Sequence, residues 1–239
     1  MMDDGALLPC AEFREILVGA YKCTNFRPGG PCEKLCWHPA GGWVPSGFLG
    51  AVCRPTDVKL WIVLWEPSGP ETDQKNGVLR EDMPPQEMFE RVASISFHHY
   101  KEKYKPHHAN VRHLLERCFR DRHPLFEDQL RLTWVCNSVL CSLPPGKKEF
   151  PEGVEEACVS RYLSKMKELI PQAYVVPMGV KDTARRRLEK AGIPPDFKGK
   201  AHLPGSRGMK YEGSLRDAGL ESYELVAKDF RKHMRWTDW

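Results

Sequence analysis

Three short stretches of the chain are apolar almost throughout: 58–65 (VKLWIVLW), 132–140 (LTWVCNSVL) and 173–177 (AYVVP). Successive side chains on a strand point to opposite faces, so a strand that is apolar at every position must be covered on both. The segments between them have helical spacing. Met88, Phe89, Val92 and Ile95 form one stripe, and Val111, Leu114, Leu115 and Cys118 form another. Pro151, with Glu152, Glu155 and Glu156 behind it, opens a helix expected to reach residue 169. Helices are also expected over 11–21, 181–191 and 223–236, with a short fourth strand over 201–203. Helices alternating with doubly apolar strands predict an α/β fold, a three-layer α/β/α sandwich around a short central parallel sheet. At 239 residues the chain suits a single domain, 1–239.

In such sheets ligands bind beyond the carboxyl ends of the strands. Those ends carry Glu66-Pro67-Ser68-Gly69, Asn137 to Cys141, Gly179, and His202-Leu203-Pro204-Gly205. Chemistry is expected there.

The nine cysteines are an odd number, so a fully paired disulfide framework within one chain is excluded. A chain of this size has no need of disulfide staples. The longest apolar run has six residues, Leu60 to Trp65, against the ~20 that span a bilayer. The acidic start Met1-Met2-Asp3-Asp4 lacks the charged-then-apolar order of a signal peptide. A reducing, cytoplasmic compartment is expected, with no membrane partner. Clustered cysteines there point to metal or catalysis. Residues 22–55 are dense in glycine and proline, hold Cys23, Cys32, Cys36 and Cys53, and need something to order them. Cys141 follows the second strand and Cys158 lies on the inward face of the next helix, with Val154, Tyr162 and Met166. Cys32, Cys36, Cys141 and Cys158 together suit zinc or an iron–sulfur cluster, with Cys23 competing for an N-terminal position. Cys10, Cys53, Cys118 and Cys136 are expected only to pack.

The segment Val135-Cys136-Asn137-Ser138-Val139-Leu140-Cys141-Ser142-Leu143-Pro144-Pro145 resembles the "TNVVKCRPP" segment of the iron–sulfur uracil-DNA glycosylases. The likeness continues through Pro151-Glu152-Gly153-Val154-Glu155-Glu156-Ala157-Cys158, Tyr162-Leu163, Leu169-Ile170-Pro171 and Val175-Val176-Pro177-Met178-Gly179, so that 133–179 match in order and spacing. More loosely, Glu66-Pro67-Ser68-Gly69-Pro70 is similar to the family's "GE-A-P-G" loop, with Trp65 in place of the glycine. His202-Leu203-Pro204-Gly205-Ser206 is similar to "HPS", with Leu203 intruding. Cys32 and Cys36 stand where the family has C-x2-C. The stacking phenylalanine of a "G-x-P-F" loop is replaced by Asn76-Gly77-Val78-Leu79, and a helical insertion, 84–122, follows.

The resemblance implies a DNA glycosylase that flips out and excises uracil or another deaminated base. It implies Glu66 near the sugar, His202 on the base oxygen, and a base pocket of Asn137, Pro67, Ser68 and Gly69. It further implies a 4Fe–4S cluster on the four cysteines, zinc being the alternative, within an N-terminal cluster-binding segment, 10–55. Lys200, Arg207 and Lys210 are candidate DNA contacts, as are Lys198 and the Arg185-Arg186-Arg187 run with Lys190, for which a solvated basic face is the competing reading. The histidines His98, His99, His107, His108 and His113 are expected on a surface helix pair. A monomer of prokaryotic type is expected. The departures at Trp65, Leu203 and the missing phenylalanine leave open a non-catalytic or altered-specificity nucleic-acid-binding member of the same fold.

Overall fold

The computed structural model describes residues 7–35, 37–65, 78–103, 106–119, 122–142, 150–179, 181–202 and 217–236. The apolar runs form β2 (Leu60–Leu64), β3 (Thr133–Asn137) and β4 (Tyr174–Pro177). β2 pairs in parallel with both β3 and β4. The expected strand at 201–203 is a single parallel bridge from Met178 to Ala201, which extends the β4 side.

The sheet is mixed rather than purely parallel. A short strand β1 (Phe48–Gly50) pairs antiparallel to β3, giving the order β1-β3-β2-β4. It lies inside the glycine- and proline-rich stretch, where three residues leave no readable alternation. Its end depends on Gly50, whose φ of +96° places its Cα so near the chain that a Cβ would sit 2.1 Å from the Thr133 carbonyl oxygen.

Helices cover both faces. Trp61, Val63, Trp134, Cys136 and Val175 point to one side, where they meet α1 (Ala11–Tyr21), the first half of α2 (Pro85–Lys101), α5 (residues 154–169) and α6 (Thr183–Lys190). Leu60, Ile62, Val135, Tyr174 and Val176 point to the other side. There they meet the second half of α2, α3 (Pro106–Phe119), α4 (Phe126–Arg131) and α7 (Asp217–His233). Helix α5 is α-helical over Val154–Cys158 and Ser164–Leu169, with a π-turn over Val159–Leu163 between them. The short α4 carries too few turns to show a period.

The 84–122 region is helical, but its helices are core rather than a surface pair. Phe97, Val111, Leu114, Leu115, Cys118 and Phe119 are buried, and so are His99 and His108, whose rings lie 5.2 Å apart. The cause is α2 itself, which contributes Met88, Phe89 and Val92 to one face of the sheet and Phe97 and Tyr100 to the other. Cys118 and Cys136 are fully buried packing residues, the latter accepting a hydrogen bond from Trp61 Nε1 at 3.3 Å.

Substituting Gly50→Ala puts a methyl group against a backbone oxygen at a left-handed φ. We expect it to lower the unfolding free energy by about 2 kcal/mol or more, read from urea midpoints. Gly19→Ala, where a Cβ would meet nothing within 4 Å, serves as the neutral comparison.

Candidate metal centre and strand-end pocket

Helix α1 ends at Tyr21, and Cys23 follows two residues later. The chain then makes a 3-10 turn over Thr24–Phe26 and doubles back, the Cys32 amide donating to the Asn25 carbonyl at 3.0 Å. The return needs Gly30, because a Cβ there would lie 2.3 Å from the same oxygen. This turn brings Cys32 beside Cys23. From the other side come Cys141, just past β3, and Cys158 on α5.

Cys23, Cys32, Cys141 and Cys158 line one pocket of about 260 Å³, open space at its mouth included, together with Ala20, Asn25, Phe26, Leu140 and Tyr162. Leu35 and Val154 pack with Cys32 at its edge, against Phe26, Cys141 and Phe150. Tyr162, four residues after Cys158 on α5, lies on the same cavity side, within the π-turn.

Cys32, Cys141 and Cys158 are each shifted by their surroundings. Burial, then Cys23, pushes the Cys32 thiol up to about 11. Burial pushes Cys158 up to about 12, with Cys32 and Cys23 adding to the shift. Burial, Cys158, Cys32 and Cys23 in turn hold Cys141 well above the usual thiol range. Thiols shifted in this way stay protonated at neutral pH, so a bound metal has to displace their protons. Two contacts reach these sulfurs. The Leu140 amide donates to the Cys158 sulfur, and the guanidinium of Arg161 lies 3.9 Å from the Cys23 sulfur. The lining offers four sulfurs and no carboxylate or imidazole, the donor set of zinc or an iron–sulfur cluster. Among the described residues no three His, Cys, Asp or Glu side chains already converge to hold a single metal ion. All eight cysteines described are free thiols. Cys36 lies outside the described residues. Cys23, the competitor for an N-terminal position, lines the pocket beside Cys32.

The carboxyl ends of the parallel strands carry the other residues singled out in the sequence. Asn137 ends β3 and is 4% exposed. Its Nδ2 donates to the Ser46 carbonyl at 3.3 Å, and its amide donates to Gly47 at 3.1 Å. Gly47 is required there, since a Cβ would collide with the Asn137 amide at 1.8 Å. His202 is half-buried next to the Met178–Ala201 bridge, its own amide donating to Ser222 Oγ at 3.3 Å. Trp65 lies against Gly179, whose φ is +118° and whose Cα has no room for a side chain beneath the indole. Glu66, Pro67, Ser68 and Gly69 lie outside the described residues, as do Leu203, Arg207 and Lys210.

Of the basic candidates, Lys200 is exposed and lies 3.8 Å from Asp182. Lys198 Nζ donates to the Pro195 carbonyl. The Arg185-Arg186-Arg187 run is not a uniform solvated face. Arg186 is exposed, Arg185 donates to the Phe197 and Gly199 carbonyls, and Arg187 is buried. Arg187 therefore does not reach a phosphate; its partners are internal. Sequence pattern missed it because three consecutive arginines read as surface.

No protein-family model matches the chain, and no curated protein is significantly similar to it. No helix among the described residues is long and apolar enough to cross a membrane.

An unfolded thiol titrates near 9, whereas Cys118, Cys136 and Cys158 are raised to about 12 in the fold. The folded state thus keeps protons that the unfolded state releases. Stability of the metal-free protein should be full below about pH 9 and fall as pH rises toward 12. Urea midpoints at pH 7.5, 9 and 10.5 check this, and a flat profile would contradict it.

Proposed function

We propose that the protein is a DNA glycosylase of the iron–sulfur uracil-DNA glycosylase type, hydrolysing the N-glycosidic bond of uracil or another deaminated base. One observation carries this reading. The stretch 133–179 that resembles the family forms β3, α5 and β4, and two of its three cysteines, Cys141 and Cys158, line one pocket with Cys23 and Cys32 of the N-terminal segment. Cys23, Cys32, Cys141 and Cys158 would hold the cluster, which when bound ties the N-terminal segment to β3 and α5 and adds its binding energy to folding.

The chemistry belongs to the strand ends. Breaking the bond leaves cationic character on the sugar and negative charge on the base. The Glu66 carboxylate stabilises the sugar or orients water. His202 donates to the base oxygen as charge develops there. Asn137, anchored by Ser46, reads the edge of the flipped base, with the backbone of Pro67, Ser68 and Gly69 beside it. Lys200, Arg207 and Lys210 contact phosphates. The partner is DNA carrying deaminated bases, engaged by a monomer in a reducing, cytoplasmic compartment.

Two experiments test this. Purified protein should be brown, with about four irons and four acid-labile sulfides per chain. Cys23→Ser should lose iron while Cys36→Ser keeps it; colourless protein holding stoichiometric zinc would overturn the cluster. Oligonucleotides carrying uracil, hypoxanthine or xanthine, single- and double-stranded, should be cleaved by alkali after incubation with the protein. Glu66→Ala and His202→Ala should each slow release by about 100-fold or more. Tight binding without release from any of them would favour the non-catalytic member of the fold.

A further inference from the structure

Arg187 is 4% exposed, although its neighbours in the run meet solvent. Burying a guanidinium is unfavourable unless its charge and donors are matched. Here Nη2 donates to Glu155 Oε1 at 2.5 Å, while Nη1 donates to the Trp65 carbonyl at 3.2 Å and to Ser138 Oγ at 3.0 Å. The Phe150 ring lies 5.5 Å from the guanidinium carbon.

The places it joins give these contacts their meaning. Trp65 directly follows β2 and directly precedes Glu66 in the chain. Ser138 directly follows Asn137. Glu155 lies one helical turn before Cys158 on α5, and Arg187 favours the Cys158 thiolate. The Trp65 carbonyl also accepts the Ser138 amide at 3.0 Å, the Val139 amide at 3.2 Å and Ser138 Oγ at 2.5 Å. One oxygen thus gathers donors from the exit of β3 and from α6.

We propose that Arg187 is a positioning residue that sets the spacing of the β2 and β3 carboxyl ends and braces them, through Glu155, on the helix that bears Cys158. Its planar fork reaches three partners at fixed angles, which a lysine ammonium does not reproduce. The structural part of the proposal stands by itself; its catalytic consequence rests on the glycosylase reading, because the residue it would hold in register is Asn137.

The test uses the full chain as purified, with Arg187→Met and Arg187→Lys. Hydrogen exchange at the Ser138 and Val139 amides should quicken by about tenfold or more in both variants, with the β4 amides unchanged. Single-turnover release of uracil from an oligonucleotide should fall about 30-fold with KM within about threefold of the parent, because misplacing groups costs rate more than binding. Arg187→Lys should fall alongside Arg187→Met. Unchanged exchange at Ser138 and Val139, or full activity in Arg187→Lys, overturns the proposal. If the parent protein releases no base, the glycosylase reading fails and hydrogen exchange alone decides the role of Arg187. If Arg187→Met does not fold, Arg187→Lys carries both measurements.

Discussion

The position of β2 between two parallel partners constrains everything else. Trp61, Ile62 and Val63 are fully buried, and neighbouring residues on the strand face opposite layers. Parallel neighbours cannot be joined by tight turns, so the chain must cross over between them. It does so with helices, which is why both faces are covered. The same geometry gathers the exits of β2, β3 and β4 along one edge of the sheet. Asn137, Ser138, Gly179 and His202 come from segments far apart in the chain and share that edge because their strands run the same way.

The thiol cavity is a second product of this arrangement. Cys141 is placed by the exit of β3, and Cys158 by the helix that carries the chain back toward β4. The N-terminal segment has no strand long enough to fix it there. Its Cys23 is placed by the end of α1, and Cys32 by a turn closed on Asn25. Arg187 hydrogen-bonds to the strand ends at Trp65 and Ser138 and to Glu155 on α5, the helix that also bears Cys158.

Most of the architecture was legible because its signal is physical. A run such as LWIVL can only be a doubly buried strand or a fully buried helix, and its length and flanking prolines decide between them. Helix α1 was readable from Phe13, Ile16, Leu17 and Ala20. What was not legible had no local signature. β1 is three residues long and takes its direction from pairing with β3. Helix α4 is six residues. The burial of Arg187 follows from partners 32, 49 and 122 residues away in sequence, which no pattern within its own helix reveals. Conversely, the histidines of α2 and α3 look polar one by one, and only the packing of those helices over the sheet buries His99 and His108. At the thiol site, sequence separated the packing cysteines Cys118 and Cys136 from the rest. The choice among Cys23, Cys32 and Cys36 depends on how an irregular loop closes, and spacing does not encode that.

The loop itself argues for a ligand. Ordering each residue of a chain costs about 1–2 kcal/mol in backbone entropy. Between Cys23 and Leu35 the chain has no strand and one 3-10 turn, and its buried apolar residues are Cys32 and Leu35, packed on Val154. That is little surface to offset so much ordering, and the prolines and glycines there form few backbone ladders. A ligand bound by Cys23 and Cys32 together with Cys141 and Cys158 would pin the loop at two points. On this reading the cysteines of the N-terminal segment bring the stabilisation that its sequence otherwise lacks.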